Sequence, residues 1–264
     1  MVYIFVSSQF EKNLLNLKLK KFNDKYHDIY INDKIITIIT GMGAYNVSSL
    51  ISYISGIFSI KKNDTVLNFG ISGSYKKNEL NNIYRVNKVY DSMIKKENIL
   101  DMTYNLNLSE KTLITVHRPL KNKEMKESYI YDMEGSAFYQ ISRKYFERQN
   151  IFIIKAINDY GFENFSKENI NLDTKSIKNI LEKLYNISDN QKNMYKEEKI
   201  ILIKEKIYNS IFTKYQKDRL IKIVYKLILS NDFEEKILED LLSRDFNNKK
   251  ERNYYFEKFI HELT

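Results

Sequence analysis

Two carboxylates, Glu134 and Asp159, stand where the surrounding sequence gives a side chain chemistry to do. Glu134 lies at the start of a predicted helix, and the two oxygens of one carboxylate can accept hydrogen bonds from both hydroxyls of a cis-diol such as that of ribose. Asp159 ends a nearly continuous apolar stretch, Ile151 to Ile157. A carboxyl at the mouth of a buried strand is partly desolvated, which raises its pKa and suits it to act as a general acid.

A structural role is the alternative for both acids. An acid at the start of a helix often only stabilises the helix dipole or caps the helix, and this interpretation applies most strongly to Asp132, two residues before Glu134. An aspartate after a strand can equally open a turn, as Asp159 would with Tyr160 and Gly161. The residue types alone leave these alternatives open.

Two glycine-bearing segments lie at predicted strand ends, where a ligand could approach the backbone. The first carries Gly41 and Gly43 before a predicted helix, a place where backbone N–H groups can face an anion. It lacks the third glycine of a dinucleotide-binding turn, since Asn46 stands there, and this disfavours a Rossmann site. The second, Asn68 to Gly73, closes a predicted strand, and an ordinary loop is an equally good interpretation of it.

Short apolar runs alternate with helical periodicity as far as about Gly161, and this alternation predicts an α/β fold. The predicted helices span Tyr45 to Phe58 and Met133 to Phe146, where apolar residues recur with helical spacing. The predicted strands are Val2 to Val6, Lys34 to Thr40, Thr65 to Phe69, Ile83 to Val89 and Ile151 to Ile157. Two of them carry continuous β-branched runs, which is typical of strands covered on both faces.

The chain changes character after Gly161, because all seven glycines and the single proline, Pro119, lie at or before it. From about Leu172 onward the apolar residues recur at helical spacing, with breaks or caps at Ser230 to Asp232 and at Asn247 and Asn248. We therefore predict an α/β domain over residues 1–186 and an all-helical C-terminal extension over residues 187–264. The extension is expected to pack on the core or on a partner, and no chemistry is assigned to it.

Composition excludes several classes of site. Without cysteine the chain forms no disulfide, thiolate nucleophile or Cys-ligated zinc site, and its three scattered histidines give no basis for a histidine-rich metal site. The net charge of +9 is interpreted as a solvated basic surface, so nucleic acid is not an expected partner. No apolar run approaches the roughly 20 residues of a membrane span, and no signal-peptide pattern is evident. We therefore expect a cytoplasmic protein with no membrane contact.

Taken in order, four segments resemble the nucleoside phosphorylase and methylthioadenosine/S-adenosylhomocysteine nucleosidase superfamily. They are the glycine turn ending in Asn46, Asn-x-Gly-x-x-Gly from Asn68, Asp-Met-Glu-Gly-Ser-Ala from Asp132, and Ile-Asn-Asp ending at Asp159. The resemblance covers about residues 1–185, and the combination of Met-Glu with the later Asp is its most specific part. It is most similar to a phosphorylase-like subgroup of spore-forming bacteria, which shares the stretch Ile83 to Asp91, the element Thr115 to Pro119 and a helical C-terminal extension.

This resemblance implies a mixed central β-sheet flanked by helices, to which the all-helical C-terminal extension is added. It implies that Glu134 binds the ribose hydroxyls, that Met133 packs beside the sugar, and that Asp159 protonates or hydrogen-bonds N7 of a purine. The pocket lining that it implies, mainly through backbone atoms, consists of Gly70, Ile71, Ser72 and Gly73. Asn158 replaces a serine that is usual in the family, which changes the partner offered to Asp159 or to the base.

The nucleophile separates hydrolysis from phosphorolysis within the family. Nucleosidases use a glutamate near the first strand to activate water, and Glu11 is the natural candidate, although its loop is one residue shorter than the family pattern. Phosphorylases use arginines and a Gly-Asp-Pro loop, whereas here no Gly-Asp-Pro follows the first strand and no arginine precedes Arg85. Water is therefore the favoured nucleophile, and Gly43 and Arg85 are the candidates for a phosphate site.

We accordingly expect an enzyme that hydrolyses the N-glycosidic bond of a purine-type nucleoside without a metal or organic cofactor. The resemblance implies a homo-oligomer whose ligand is a small-molecule nucleoside. One alternative is a purine nucleoside phosphorylase that takes inorganic phosphate as its co-substrate. Another is a catalytically inactive nucleoside-binding or regulatory module whose helical tail contacts a partner.

Overall fold

The computed structural model describes residues 1–118, 120, 124–160, 172–230 and 233–263. Pro119 and Gly161 lie outside these ranges, and so do the side chains of residues 159, 160, 191–195, 229, 230 and 263. The chain divides into two compact units, Met1–Asp189 and Asn190–Thr264. The division of roles between residues 1–186 and 187–264 stays a prediction.

A mixed β-sheet forms the centre of the first unit and confirms the fold class expected from the sequence. Its strands arise from runs of β-branched and aromatic residues, such as Ile-Ile-Thr-Ile-Ile in the fourth of them. The described strands are β1 (Val2–Val6), β2 (Lys20–Lys21), β3 (Asp28–Ile31), β4 (Ile35–Ile39), β5 (Thr65–Ser74), β6 (Ile83–Asp91), β7 (Lys96–Ile99), β8 (Ser109–Thr115), β9 (Tyr129–Asp132) and β10 (Ile151–Tyr160).

Strand pairing brings several strand ends to one edge of this sheet. The order is β10-β6-β8-β9-β5-β1-β4-β3-β2, and β7 pairs with β6. Because β10 also pairs with β5, the strands β5, β9, β8, β6 and β10 form a closed ring. Parallel pairing joins β1 to β4 and to β5, and joins β5 to β10. The carboxyl ends of these four strands therefore lie side by side.

Helices cover both faces of the sheet in the first unit. They are α1 (Gln9–Leu14), α2 (Ala44–Ile57), α3 (Gly135–Ser142) and the first part of α4 (Thr174–Tyr208). Side chains alternate along a strand, so Tyr3 and Phe5 enter a core with α2 and α3, whereas Val2 and Ile4 enter a second core with α4. The sheet is thus buried on both faces, as its continuous apolar strands predict.

Helices joined by short loops are the regular secondary structure of the described residues of the second unit, which confirms the helical C-terminal region expected from the sequence. It contains the remainder of α4, then α5 (Lys214–Ser230), α6 (Glu235–Leu242) and α7 (Lys249–Leu263), which enclose their own apolar core. The predicted break at Asn248 is the start of α7, where its Oδ1 accepts the N–H of Glu251 at 2.9 Å. No described helix in either unit combines the length and apolar character needed to cross a bilayer.

Several element boundaries differ from the predicted ones, and two of these differences affect the candidate site. β5 continues beyond Phe69 to Ser74, because β10 pairs with it along this stretch and β9 pairs with its last two residues. α3 is shorter than the predicted span of Met133 to Phe146. Asp132 fixes its start, since Oδ2 of this residue accepts the N–H of Gly135 at 2.9 Å.

Candidate active site

The candidate site lies at the carboxyl ends of β1, β4, β5 and β10. Phe5 of β1 lies opposite Asn68 of β5, and Gly70 of β5 lies opposite Lys155 of β10. The segment that leaves β1 therefore reaches the sheet edge beside Gly70. Ligands of open α/β sheets bind in such a crevice, outside the carboxyl ends of the strands.

Glu11 is held in this crevice by a short helix. α1 follows β1 directly, with Ser8 as its N-cap, and the Glu11 side chain turns inward, so that the residue is only 5% exposed. Its Oε2 accepts hydrogen bonds from the backbone N–H of Ser7 at 2.5 Å and from the Ser7 hydroxyl at 2.6 Å. Its Oε1 accepts the N–H of Ile71 at 2.9 Å. Three donors thus fix the orientation of one buried carboxylate.

Gly70 makes room for two charged groups. A Cβ at this position would lie 2.9 Å from Oε1 of Glu11 and 3.4 Å from Nζ of Lys155. Both charged groups therefore sit over the same point of β5, and a side chain at residue 70 would push the carboxylate away. The glycine that the sequence indicated as a ligand contact is also required by the protein's own carboxylate.

Lys155 brings a positive charge into the crevice, and its side chain is 2% exposed. Its Nζ forms an ion pair with Oδ2 of Asp132 at 2.9 Å. Burial opposes the charge of the ammonium group, but the carboxylates of Asp132, Glu134 and Glu11 outweigh this effect, so the pKa of Lys155 is raised. Lys155 is therefore a permanent cation among three carboxylates.

Glu134 faces the glycine turn that follows β4. Its Oε1 accepts the N–H of Gly43 at 2.6 Å, and the φ of +98° at Gly43 is one that residues with side chains rarely adopt. Burial and the charge of Asp132 raise the pKa of Glu134 from 4.5 to about 7, against the opposing effects of Lys155 and the Gly43 N–H. The Glu134 carboxyl therefore changes charge near neutral pH.

Asp132 ties these groups to the start of α3. Besides Lys155 and the N–H of Gly135, it accepts a hydrogen bond from the Thr115 hydroxyl at 2.8 Å. The Thr115 oxygen in turn accepts the N–H of Ser136 at 2.8 Å. The helix-capping role expected for Asp132 is thus present, and the same carboxylate also anchors the buried lysine.

The remaining residues of the crevice come from the ends of β5 and β10. Gly73 lies opposite Asp159, and a β-bulge falls at Asn158, between Ile157 and Asp159. Bulges re-aim side chains and are frequent beside active sites. The backbone of Asp159 is therefore at the crevice, while its side chain lies outside the described part of the structure.

Two further residues of the expected lining lie in the same region. Ser72 is buried, and its hydroxyl has no hydrogen-bond partner among the described residues. Met133 is half-buried and directly precedes Glu134, whose Oε2 accepts the Met133 N–H at 3.3 Å. The binding roles of both residues stay a prediction.

Arg85 is not brought to this cluster. Its guanidinium group donates hydrogen bonds to the carbonyl oxygens of Asp101 and Tyr104 and lies over the ring of Phe152, 5.2 Å from its centroid. Phe152 and Lys155 are separated by three positions in one strand, so their side chains point to opposite faces of the sheet. Arg85 thus organises the chain around residues 101–104 and does not face Glu11 or Glu134. Gly43 does belong to the cluster, but its N–H is donated to a carboxylate of the protein itself.

Sequence reasoning did not identify Lys155 as a member of this cluster. The available signal was a lysine within an apolar strand, Ile151 to Ile157, at a position whose neighbours two residues away are buried. A lysine in such a place requires a buried counter-charge. Asp132, interpreted mainly as a helix cap, was the counter-charge to seek.

Among the residues that the structure describes, no group of three or more His, Cys, Asp or Glu side chains is arranged to hold a metal ion.

Comparison with known proteins bears on this fold. No protein-family model matches the chain, and no curated protein matches its sequence. Solved structures do match. The 5′-methylthioadenosine/S-adenosylhomocysteine nucleosidase of Streptococcus pneumoniae, with a transition-state inhibitor, gives a TM-score of 0.55 at 13% identity, over 71% of this chain and 97% of that one.

Two other solved structures give the same result. The S-adenosylhomocysteine nucleosidase of Streptococcus pyogenes has a TM-score of 0.55 at 13% identity, over 69% of this chain and 94% of that one. The futalosine hydrolase of Helicobacter pylori has a TM-score of 0.55 at 12% identity, over 69% of this chain and 97% of that one. The chain thus shares the fold of these nucleosidase and hydrolase structures, which agrees with the fold that the resemblance implied.

Proposed function

We propose that this chain is an enzyme that hydrolyses the N-glycosidic bond of a purine-type nucleoside. The observation that carries the proposal is the convergence of Glu11 and Glu134 on the buried Lys155 at the strand ends of a nucleosidase fold. The two carboxylates come from segments more than a hundred residues apart, and both are buried. Burying such groups is costly, which supports a functional reason for their presence.

The proposed chemistry assigns one task to each acid. Glu134 accepts hydrogen bonds from the ribose hydroxyls, and its negative charge stabilises the positive sugar that forms in the transition state. Glu11 removes a proton from water as the water oxygen bonds to C1′ of the sugar. The bond from C1′ to the base breaks, and its electron pair leaves with the base. Asp159 donates a proton to the base, and solvent then restores both carboxyls.

Water is supported over phosphate as the nucleophile, because the local hydrogen-bond donors are already bound to carboxylates of the protein. The N–H groups of Ser7, Ile71 and Gly43 are all donated to Glu11 or Glu134. Lys155 is paired with Asp132. A phosphate ion would meet three carboxylates and no free cation among the described side chains of this cluster, whereas a neutral water molecule carries no such penalty.

The finer features of the proposal rest on the resemblance and the composition. We propose a purine base, turnover without a metal or organic cofactor, and a homo-oligomeric enzyme. The absence of cysteine agrees with a reducing compartment such as the cytoplasm. The similarity to the subgroup of spore-forming bacteria stays a prediction, as do the binding roles of Met133, Ser72, Gly73 and Asn158.

Product analysis of the purified protein tests this function. It is incubated with methylthioadenosine, S-adenosylhomocysteine, 5′-deoxyadenosine, adenosine, inosine and guanosine, each with and without phosphate, and the products are separated by chromatography. We expect free base from at least one nucleoside without phosphate, and no release by Glu11→Gln. Release that depends on phosphate would instead identify a phosphorylase. No release from any substrate, together with tight nucleoside binding, would identify a non-catalytic module.

A further inference from the structure

A second cavity lies in the first unit, at the opposite end of β1 and β4 from the candidate active site. Its volume is about 710 Å³, within the usual range for small-molecule sites. Its walls are the segment after α1, the start of β4 and the first turns of α4. Three buried residues, Leu15, Ile35 and Leu181, give it an apolar floor.

Four exposed lysines surround this cavity. They are Lys18, Lys34, Lys175 and Lys178, against a single acidic lining residue, Glu182, which forms an exposed ion pair with Lys178 at 3.8 Å. Asp173 lies just outside the lining, and its carboxylate accepts the N–H groups of Lys175 and Ser176 at the start of α4. The lining therefore has an excess of three positive charges.

An aromatic ring completes the wall. Tyr185 is half-buried, and Nζ of Lys34 lies over its ring, 4.2 Å from the centroid. The cavity thus combines a flat aromatic face, an aliphatic floor and several point charges of one sign. Lysine ammonium groups of this kind bind phosphate as point charges.

The cavity and the candidate active site lie at different ends of β1, although Leu15 of the cavity caps the helix that carries Glu11. The four steps of β1 from Val2 to Val6 separate the two ends by roughly 13 Å. None of the cavity residues belongs to the cluster around Glu11 and Glu134. A ligand in the cavity would therefore leave the active-site crevice free.

We propose that this cavity binds an organic polyanion that joins phosphate groups to an aromatic body, with a nucleoside polyphosphate as the fitting class. The phosphates contact the ammonium groups of Lys18, Lys34, Lys175 and Lys178. The aromatic body lies on the apolar floor and takes the place of the Lys34 ammonium group over the ring of Tyr185, while Lys34 turns to a phosphate. Inorganic polyphosphate shares the anionic chemistry but lacks the aromatic body, so the two sources are separated by experiment.

Fluorescence titration of the full chain with a methylanthraniloyl-labelled adenosine triphosphate tests the proposal, in magnesium-free buffer at low ionic strength. We expect saturable binding of one equivalent. The double variant Lys18→Ala/Lys175→Ala should weaken it about tenfold, through the loss of two partly screened charges. The separate variant Tyr185→Leu should also weaken the binding of the labelled nucleotide, because it removes the aromatic ring and keeps the apolar floor. Thermal unfolding verifies that each variant is folded.

The control carries the same loss of charge elsewhere. Lys222→Ala/Lys226→Ala removes two exposed lysines from α5 and should change the affinity less than twofold. Inorganic tripolyphosphate should compete at least tenfold more weakly than unlabelled adenosine triphosphate. Absence of saturable binding would overturn the proposal, and so would equal weakening in the control or equal competition by tripolyphosphate.

Discussion

At the scale of single residues, the central feature is a carboxyl group whose burial conflicts with its charge. Glu134 is 7% exposed, and its pKa is raised to about 7 by burial and by the charge of Asp132. The ordinary value is 4.5, so the folded protein binds a proton on Glu134 between pH 4.5 and about pH 7 that the unfolded chain releases. The stability that this group contributes therefore falls as pH rises through that window.

We predict that Glu134→Gln increases stability at pH 8 relative to the unchanged protein and has little effect at pH 5. At pH 5 the side chain of the folded protein is already neutral. At pH 8 it is ionised, and its buried negative charge is only partly compensated. Thermal unfolding at both pH values measures the difference.

Glu134→Gln should also weaken the binding of ribosides far more than the binding of free base, by about 10- to 100-fold. The reason is that the amide offers one acceptor oxygen where the carboxylate offers two. Equal losses for riboside and base would contradict the diol contact.

Activity should show the same titration. The ionised carboxylate is the form that accepts hydrogen bonds from both ribose hydroxyls, so we expect kcat/KM to rise with pH along a limb centred near pH 7. A pH–rate profile for a nucleoside substrate measures this limb. A profile that is flat from pH 6 to pH 8 would contradict the assignment of Glu134.

A further prediction concerns Lys155. Lys155→Met keeps the length of the side chain but leaves the carboxylates of Asp132, Glu134 and Glu11 without their cation. We expect the acid limb of the pH–rate profile to move to higher pH, because the pKa of Glu134 loses the lowering effect of the ammonium group. Removing one partner of a buried pair also costs about 3–5 kcal/mol of unfolding free energy. A loss of stability with an unchanged pH limb would limit Lys155 to a structural role.

Site residues could be predicted from the sequence where they belong to a recognisable motif. They could not be predicted where only the three-dimensional arrangement brings them to the site. Glu11 and Glu134 were predicted from segments that resemble a family, and the structure brings them to one crevice. Lys155 was missed, because the sequence does not show that a strand lysine faces three acids contributed by other elements. Arg85 was a candidate for the phosphate site because no arginine precedes it in the sequence. In the structure its side chain lies over Phe152, on the opposite face of the sheet from Lys155.

At the scale of elements, β5 determines how close the charged groups come. Its pairing with β10 continues through Gly70 to Ser74, so the glycines lie in a strand rather than in a loop. The sequence could not establish this extension, since glycine has low strand propensity and the pairing depends on strands distant in the chain. The apolar strand Ile151 to Ile157 and the helix near Tyr45 to Phe58 were predictable because their periodicity is local and strong.

We predict that Gly70→Ala lowers kcat/KM by about 100-fold while the protein still folds. The added methyl group would lie 2.9 Å from Oε1 of Glu11 and so displace the carboxylate. Gly56→Ala is the matched control, since a Cβ there meets nothing within 4 Å. The control should leave activity unchanged and alter the unfolding free energy of the protein by no more than about 1 kcal/mol. Full activity of Gly70→Ala would contradict the placement of Glu11.

At the scale of the whole molecule, the chain consists of two compact units with separate apolar cores. The order of the motifs along the sequence was sufficient to predict the fold of the first unit. The closed ring of strands was not predictable, because it depends on β10 pairing with both β5 and β6. Helical periodicity predicted the helices of the second unit.

We predict that the chain ended after Asp189 folds and keeps its activity within about twofold. This cut retains Ser188, whose hydroxyl accepts a hydrogen bond from the Met1 ammonium group at 2.9 Å and donates one to the Met1 carbonyl at 3.1 Å. A cut after Asn186 removes Ser188 and should lower the melting temperature relative to the longer form. Insoluble or inactive protein from the cut after Asp189 would instead make the helical region necessary for the first unit.

The most direct test of the account is isotopic. The enzyme is supplied with the nucleoside that it cleaves, in ¹⁸O-labelled water containing excess phosphate, and the sugar product is analysed by mass spectrometry. We predict free sugar that carries one ¹⁸O atom at C1, and no label transfer by Glu11→Gln. Unlabelled sugar 1-phosphate as the product would contradict the assignment of Glu11 as the base that activates water.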